Sequence, residues 1–361
     1  MEIEFRKAES HLKIVVLAGG LSMERNVSLS SGNKICRALR ARGHQAILVD
    51  MFLGLEDYTG ALDDIFDAPD GLCADYSVAR EEPDLDAVRA SRAYKSENLF
   101  GKDVLRVCRM ADVVFLALHG TCGEDGRVQA AFDLLGIPYT GSGYLGSAIA
   151  MDKDLTKRLV SDRVITPRWR VVTYTEDEAD ALAEETRLPC VVKPIANGSS
   201  IGVSIAKDLP ALKKALHECL AFGSRVILEQ YVKGREIQVG VLAGRAMPSI
   251  EIIPKEGFYD YANKYQAGAA EEITPAPIPE AWERNLREAA ETVFETIGLS
   301  VYARADFIVT ADGTPYFLEI NTLPGMTPTS LIPQEAAVIG LSYEDLCEKI
   351  VEESLKVRNK L

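Results

Sequence analysis

Apolar residues come in short blocks along this chain, and their spacing predicts the elements. Residues 13–18 are a continuous β-rich run that ends in Gly19-Gly20, which predicts a buried strand followed by a turn. Ile35 and Leu39 then share one helical face, and Gly43 supplies a C-terminal stop. A strand over 45–50 completes a βαβ unit. Residues 113–118 read as another buried strand, and a helix over 128–135 is stopped by Gly136. Beyond "IPYTGSG" the pattern changes. A helix carrying Ile149, Leu155 and Leu159 precedes strands at 169–172, 190–194, 203–206 and 225–230, with helical stretches at 176–186 and 209–221. After Tyr231 come hairpin strands, a Gly/Pro-rich loop over 254–279, a helix over 280–297 and a last hairpin. Residues 52–107 are acid-rich, poorly patterned, and read as helix or loop. The result is an α/β (α+β) chain with boundaries near Gly141 and Tyr231.

The last hairpin carries the most chemistry. Asp312-Gly313 predicts a two-residue turn, and that register sets Asp306 opposite Glu319 and Arg304 opposite Asn321. Strand side chains alternate, so these four polar groups share a face with Ile308 and Phe317, while Phe307, Val309, Tyr316, Leu318 and Ile320 are core. Facing carboxylates repel unless a cation lies between them. Hard oxygen donors from Asp, Glu and Asn suit Mg²⁺ shared with substrate phosphates.

Three Gly-rich segments follow from the same pass. Residues 197–202, "NGSSIG", lie between two predicted strands just after Lys193, where backbone N–H groups and a lysine can approach phosphate. A small-residue hairpin loop is the plainer reading. Residues 141–146, "GSGYLG", match GxGxxG, but the preceding segment contains Pro138 and makes a poor first strand for dinucleotide binding. Residues 119–126, "HGTCGEDG", follow a strand, and Glu24 follows another. Both lie at the carboxyl edge of an open α/β sheet, where ligands bind.

Composition narrows the class. Of 361 residues, 47% are hydrophobic and 26% charged, as in an ordinary globular chain, and the net charge is −14. That balance argues against nucleic acid or an anionic membrane as partner, while a few pocket cations can still hold a small polyanion. No apolar run is long enough to span a bilayer, and the first ten residues lack a signal-peptide core. The 7 Cys form no CxxC pair and read as reduced thiols of a cytoplasmic protein; with 4 His, a zinc site is not expected.

Taken in order, "GGLSMERNVSLSSG" (19–32), "HGTCGEDG" (119–126), "MDKDLTK" (151–157), "VVKPIANGSSIG" (191–202), "FYDYANKY" (258–265), "ARADF" (303–307) and "LEINTLPGMTPTSL" (318–331) resemble the D-alanine–D-alanine ligase family of ATP-grasp enzymes. The resemblance runs from about residue 13 to 350 and is weakest over 52–107. It implies a three-domain ATP-grasp architecture. An N-terminal substrate-side domain (1–141) precedes two subdomains (142–229 and 230–361) that clasp ATP, with 254–279 as a flexible loop. It implies ATP-dependent joining of two D-alanines through a D-alanyl phosphate, for peptidoglycan precursor synthesis, with two Mg²⁺ ions that Mn²⁺ can replace. A homodimer is implied, and a monovalent-cation requirement is compatible with it.

Residue by residue, the resemblance assigns Lys153, Lys193 and Ser200 to ATP phosphates, Glu229, Gln230, Tyr231 and Val232 to adenine, and Glu236 to ribose. Asp306, Glu319 and Asn321 match the Mg²⁺ ligands, as the register argument also suggests. Arg304 and the Gly325 backbone match the oxyanion stabilisers. Glu24 matches the carboxylate that orients the first D-alanine, in a network with Ser199 and Tyr265, and His119 lies beside that subsite. Lys264, Ser330 and the Leu331 backbone match the groups receiving the second substrate's carboxylate. Ligation to D-serine or D-lactate is the alternative within the family; the Lys264–Tyr265 pair argues against lactate, and Leu331 leans toward an alanine-sized subsite. A non-catalytic nucleotide-binding relative would lack some of these side chains, and none is missing. Cys122 reads as a packing residue.

Overall fold

Uninterrupted aliphatic runs become strands of a parallel sheet, because such strands are buried on both faces. In the computed structural model, which describes residues 11–73, 83–121, 123–195, 202–255 and 270–358, the first three strands are β1 (Lys13–Ala18), β2 (Gln45–Asp50) and β3 (Val113–Leu116). They lie in the order β2–β1–β3, all parallel, and β3 stops short of the expected Leu118. Helix Arg25–Ala41 covers this sheet with Ile35 and Leu39, both fully buried, and Gly43 follows its end at φ +94°. The weakly patterned stretch holds a short 3-10 turn, Leu62–Asp67, and two helices, Leu85–Ser91 and Val104–Met110.

A second sheet is antiparallel. Its strands β4 (Trp169–Thr173), β5 (Cys190–Pro194), β6 (Ser204–Ala206) and β7 (Arg225–Gln230) run in the order β4–β7–β5–β6. Helix Leu209–Cys219 closes one face around Val192, Leu212, Leu216, Val226 and Leu228. The helix expected to carry Ile149, Leu155 and Leu159 is two helices, Tyr144–Met151 and Lys153–Val160. They break at Asp152, whose side chain accepts from the Leu155 N–H and caps the second.

The third sheet has strands β8 (Arg235–Leu242), β9 (Arg245–Ala246), β10 (Ile250–Pro254), β11 (Ala270–Ile273), β12 (Tyr302–Val309) and β13 (Pro315–Asn321). Its order is β11–β10–β8–β12–β13, with β9 against β8. β11 corrects the loop expected over 254–279. A four-residue edge strand with two glutamates carries too little apolar alternation to read as a strand. Helix Glu280–Ile297 backs this sheet with Leu286, Ala290, Val293 and Ile297. The last helix, Tyr343–Arg358, returns to the first sheet, where Leu346, Ile350 and Val351 share one core with β1 and β3. Among the described residues no helix is long and apolar enough to cross a membrane.

The hairpin β12–β13 differs from expectation in an instructive way. Its turn has three residues between Thr310 and Thr314, with the Thr310 N–H donating to Thr314 O and Gly313 in the left-handed region at φ +86°. Left alone, that register would set Glu319 opposite Ala305 and turn its carboxylate into the core. A bulge at Leu318 adds one residue and restores Asp306 opposite Glu319 and Arg304 opposite Asn321. Near the turn the faces therefore exchange. Phe317 packs edge-on against Phe307 in the core, ring centres 5.7 Å apart, and Leu318 faces the cleft beside Ile308.

Gly313 is the residue on which this turn rests. A Cβ there would sit 2.2 Å from Trp282 Nε1 on top of the positive φ. Gly313→Ala is expected to lower the unfolding free energy by about 1–3 kcal/mol. An unchanged denaturant midpoint would show that the turn can be rebuilt without glycine.

Candidate active site

Helix Lys153–Val160 touches both antiparallel sheets through charged side chains. Lys153 Nζ lies 3.0 Å from Glu319 Oε2 on β13, and Lys157 Nζ lies 2.6 Å from Glu229 Oε2 on β7. Lys157 also donates to Thr166 Oγ1 at 2.6 Å and sits 5.5 Å from the Trp169 ring centre. Lys193 of β5 takes the second oxygen of Glu229. Glu229 is almost fully buried, which opposes its ionisation, but Lys193 and Lys157 outweigh burial and hold the carboxyl below its usual range. Burial pushes Lys157 down to about 8, with Glu229 pulling it back up. The Glu229 side chain is thus committed to two lysines. Lys157 was not singled out from the sequence, although its place four residues beyond Lys153 puts it on the same side of one helix.

Lys153, Lys193, Glu229 and Glu319 line a cleft between the two sheets. Val191, Val203 and Ile205 form one wall, Ile308 and Leu318 the other, and Gln230, Tyr231 and Val232 run between them. Lys153, Lys193, Glu236, Asp306 and Glu319 open onto it. On the β12–β13 face, Arg304 donates through Nε and Nη2 to the two Asp306 oxygens at 2.8 and 2.9 Å, and Asn321 Nδ2 donates to Asp306 Oδ2 at 3.2 Å. Two carboxylates and an amide gathered on one face, each carboxylate already matched to a cation, form a hard-oxygen set that fits Mg²⁺.

A narrow crevice lined by Glu124, Lys153, Glu319 and Asn321 leads from this face toward the first sheet. There Glu24 stands at the N-terminus of helix Arg25–Ala41, and Gly120 approaches so closely that a Cβ would lie 2.7 Å from Glu24 Oε2. His119 Nδ1 donates to Leu323 O at 2.8 Å, and its other nitrogen faces Ser31 Oγ at 3.4 Å. Burial pushes this imidazole down, with Glu24 opposing. Glu124 accepts from the N–H groups of Gly120 and Leu323 at 2.8 and 3.2 Å. Its burial, reinforced by the Glu24 carboxylate, pushes it up to about 8. The loop signal marked this segment, but nothing in the sequence assigned Glu124 to Leu323, which is distant along the chain.

Gly325 and Ser330 meet at the start of helix Leu331–Val338: a Cβ on Gly325 would lie 3.1 Å from Ser330 Oγ, which accepts from the Thr327 N–H at 3.0 Å. The Leu331 side chain packs into a small core with Ile250 and Ile252. Ser199, Ser200, Lys264, Tyr265 and Cys122 lie outside the described residues. In the 141–146 segment Gly141, Ser142 and Gly146 are buried, with Ser142 Oγ donating to Ser300 O at 3.1 Å and Arg358 donating to Gly141 O at 3.1 Å, while Tyr144 and Leu145 are exposed.

Family comparison accounts for nearly all of this chain. The family described as D-ala D-ala ligase N-terminus matches residues 13–142, and the one described as D-ala D-ala ligase C-terminus matches residues 163–352. The chain belongs to the D-alanine–D-alanine ligase family. The D-alanine–D-alanine ligase of Pediococcus pentosaceus is 42% identical over 97% of this chain and 99% of its own length. The Bacillus anthracis D-alanine–D-alanine ligase solved in complex with ATP is 30% identical, with a TM-score of 0.71 over 97% of this chain and 99% of that one. The D-Ala:D-Ser ligase VanG of Enterococcus faecalis is 28% identical, with a TM-score of 0.72 over 96% and 100%. The three-domain division is our reading of this ATP-grasp fold.

The buried triad of this ligase-family chain has a measurable consequence. Glu229→Gln leaves Lys157 and Lys193 without their shared counter-charge. The expected loss is about 3–5 kcal/mol of unfolding free energy at neutral pH. Raising the pH toward about 9 should return part of it. A lysine depressed by burial regains stability as it loses its proton, so the recovery follows rising pH. Denaturant titrations at both pH values check this, and a variant as stable as the parent would remove the triad from the account.

Proposed function

We propose that this chain joins two molecules of D-alanine into D-alanyl-D-alanine at the expense of ATP, through a D-alanyl phosphate, to supply peptidoglycan precursor. The observation that carries the reading is the convergence of Lys153, Lys193, Asp306 and Glu319 on one cleft between two antiparallel sheets, with Asn321 on the crevice that adjoins it. The ATP complex of the Bacillus anthracis relative supports ATP as co-substrate. The reading carries with it a cytoplasmic homodimer, as the family resemblance implies.

The chemical difficulty is that a carboxylate is a poor electrophile until one oxygen becomes a good leaving group. Lys153 and Lys193 are placed to take ATP phosphate oxygens, with the adenine along 229–232 and its ribose on Glu236. Asp306, Glu319 and Asn321 would hold Mg²⁺, which when bound offsets the charge of the transferring phosphoryl group. Glu24 orients the first ammonium, with Ser199 and Tyr265 as its partners in this reading. Lys264, Ser330 and the Leu331 N–H receive the second carboxylate. Attack of the second amine builds a tetrahedral oxyanion, for which Arg304 and the Gly325 N–H are the donors, and phosphate leaves.

D-Serine as second substrate is the competing reading, favoured by the likeness to the D-Ala:D-Ser ligase. Supplying D-alanine, D-serine and D-lactate together with ATP and Mg²⁺ separates the two by product mass. D-Alanyl-D-alanine is expected to dominate; D-alanyl-D-serine as the main product would move the assignment, and no dipeptide at all would reject it. Glu319→Gln keeps the side chain's shape and a contact to Lys153 but removes a charge. Turnover is expected to fall about 100–1,000-fold, while the unfolding midpoint falls only as far as the loss of Lys153's counter-charge requires, leaving the protein folded at assay temperature. Near-normal turnover would displace Glu319 from the metal set.

A further inference from the structure

Two cysteines far from the cleft are arranged as a pair. Cys36 lies on helix Arg25–Ala41 with its side chain fully buried, and Cys73 follows the turn after the 3-10 segment Leu62–Asp67. Each sulfur sits 3.8 Å from the same carbonyl oxygen, that of Gly71, which both thiols face as donors, so the two side chains meet at one point. The Gly71 carbonyl is pinned, because it also accepts from the Leu48 N–H at 2.8 Å. Access is one-sided. Cys73 lines a solvent-open cleft with Asp57, Tyr58 and Asp70, whereas Cys36 is closed off behind it.

We propose that Cys36 and Cys73 are a reversible dithiol–disulfide site, oxidised by hydroperoxides with Cys73 as the attacking sulfur and Cys36 as the resolving one. The geometry gives each thiol a distinct part. In the first step, with hydrogen peroxide as the oxidant, the Cys73 thiolate displaces hydroxide from the O–O bond and becomes a sulfenic acid, and the hydroxide takes up the proton that Cys73 released. In the second, the Cys36 sulfur attacks Cys73, the sulfenic oxygen leaves as water with the Cys36 proton, and the S–S bond closes. Over both steps the sulfurs lose two electrons, one peroxide is reduced, and two waters form.

The electrostatics agree with this division. The neighbouring Cys36 thiol draws the Cys73 thiol down, and Arg37 and Arg40 add to it. Arg40 is held in place by hydrogen bonds to Ala46 O and Pro69 O at 3.0 and 2.7 Å. The other described cysteines are buried, and burial pushes Cys108 and Cys347 up to about 12 and Cys219 up to about 11, with Cys190 also raised. Only the thiolate is the nucleophile, so these four should lag. Cys36 lies about 18 Å along the helix from Glu24, which places the pair outside the reaction described above.

The test treats the full-length reduced protein with hydrogen peroxide, alkylates the remaining thiols and maps peptides by mass. The expected product joins the Cys36 and Cys73 peptides, lighter by two hydrogens, and forms at least about tenfold faster than Cys108, Cys190, Cys219 or Cys347 is lost. Dithiothreitol should restore both thiols. In Cys36→Ser, Cys73 should instead accumulate as a sulfenic acid trapped by dimedone. The proposal is overturned if Cys36 and Cys73 stay reduced while the buried thiols react. It also fails if Cys73 pairs with any other cysteine, or if the Cys36→Ser variant gives the same Cys73 product as the parent.

Discussion

Helix Lys153–Val160 carries two ammonium groups four residues apart, and the cleft is organised by how they are paired. Like charges at that spacing repel on a helix surface, and here Lys157 is fully buried and Lys153 nearly so. The fold resolves this with carboxylates from two different sheets, Glu319 of β13 for Lys153 and Glu229 of β7 for Lys157. Asp154 of the same helix turn holds Trp169 of β4 at 2.8 Å. One short helix therefore ties the two walls together, and its position sets the space between them. Buried pairs of this kind add little net stability over apolar packing, but losing one partner is expensive. Their effect is to permit one relative placement of the sheets and penalise the others.

The chain has a net charge of −14, yet its proposed co-substrate is a polyanion. Local arrangement settles the conflict. Lys153 and Lys193 line the cleft, with Lys157 and Arg304 bound to its acids Glu229 and Asp306, and acids the chain itself supplies hold each of the four in place. The desolvation of both signs of charge is met during folding. In the proposed reading the cations then meet phosphate with directions already fixed, which is where electrostatic stabilisation gains most over water. Apolar walls from Val191, Ile205, Ile308 and Leu318 lower the effective dielectric around them.

The sequence made legible whatever depended on local pattern. Continuous apolar blocks gave β1, β2, β5 and β7 almost to the residue, and Gly43 and Gly136 marked two helix ends. The hairpin shows where such reasoning stops. A two-residue turn and an unbroken ladder lead to the same Asp306–Glu319 pairing as a three-residue turn followed by a bulge. The site face was read rightly and the positions of Phe317 and Leu318 wrongly, because an inserted residue leaves no periodic mark until the partner strand is known. β11 escaped because an edge strand needs little apolar alternation. Lys157 and Glu124 escaped for a third reason. Their partners, Glu229 and Leu323, are remote in sequence, and burial of a charge is decided by contacts that one segment cannot display.

The same long-range logic bears on the oxyanion donor proposed at the Gly325 N–H. A side-chain donor can adjust through its own torsions, but a backbone N–H points where the chain points, so its aim depends on what holds the turn. Leu323, two residues earlier, has its N–H bound by Glu124 and its carbonyl by His119, both from the loop after β3. Tyr343 of the last helix donates to Met326 O at 2.7 Å, and Ser330 Oγ receives the Thr327 N–H from the other side. The turn is thus fixed by the N-terminal sheet's loop and by the C-terminal helix that packs on the same core. That the final helix belongs to the first core is thus part of how the proposed oxyanion donor is aimed. It also gives His119 and Glu124 work in the fold that does not require either to touch a substrate.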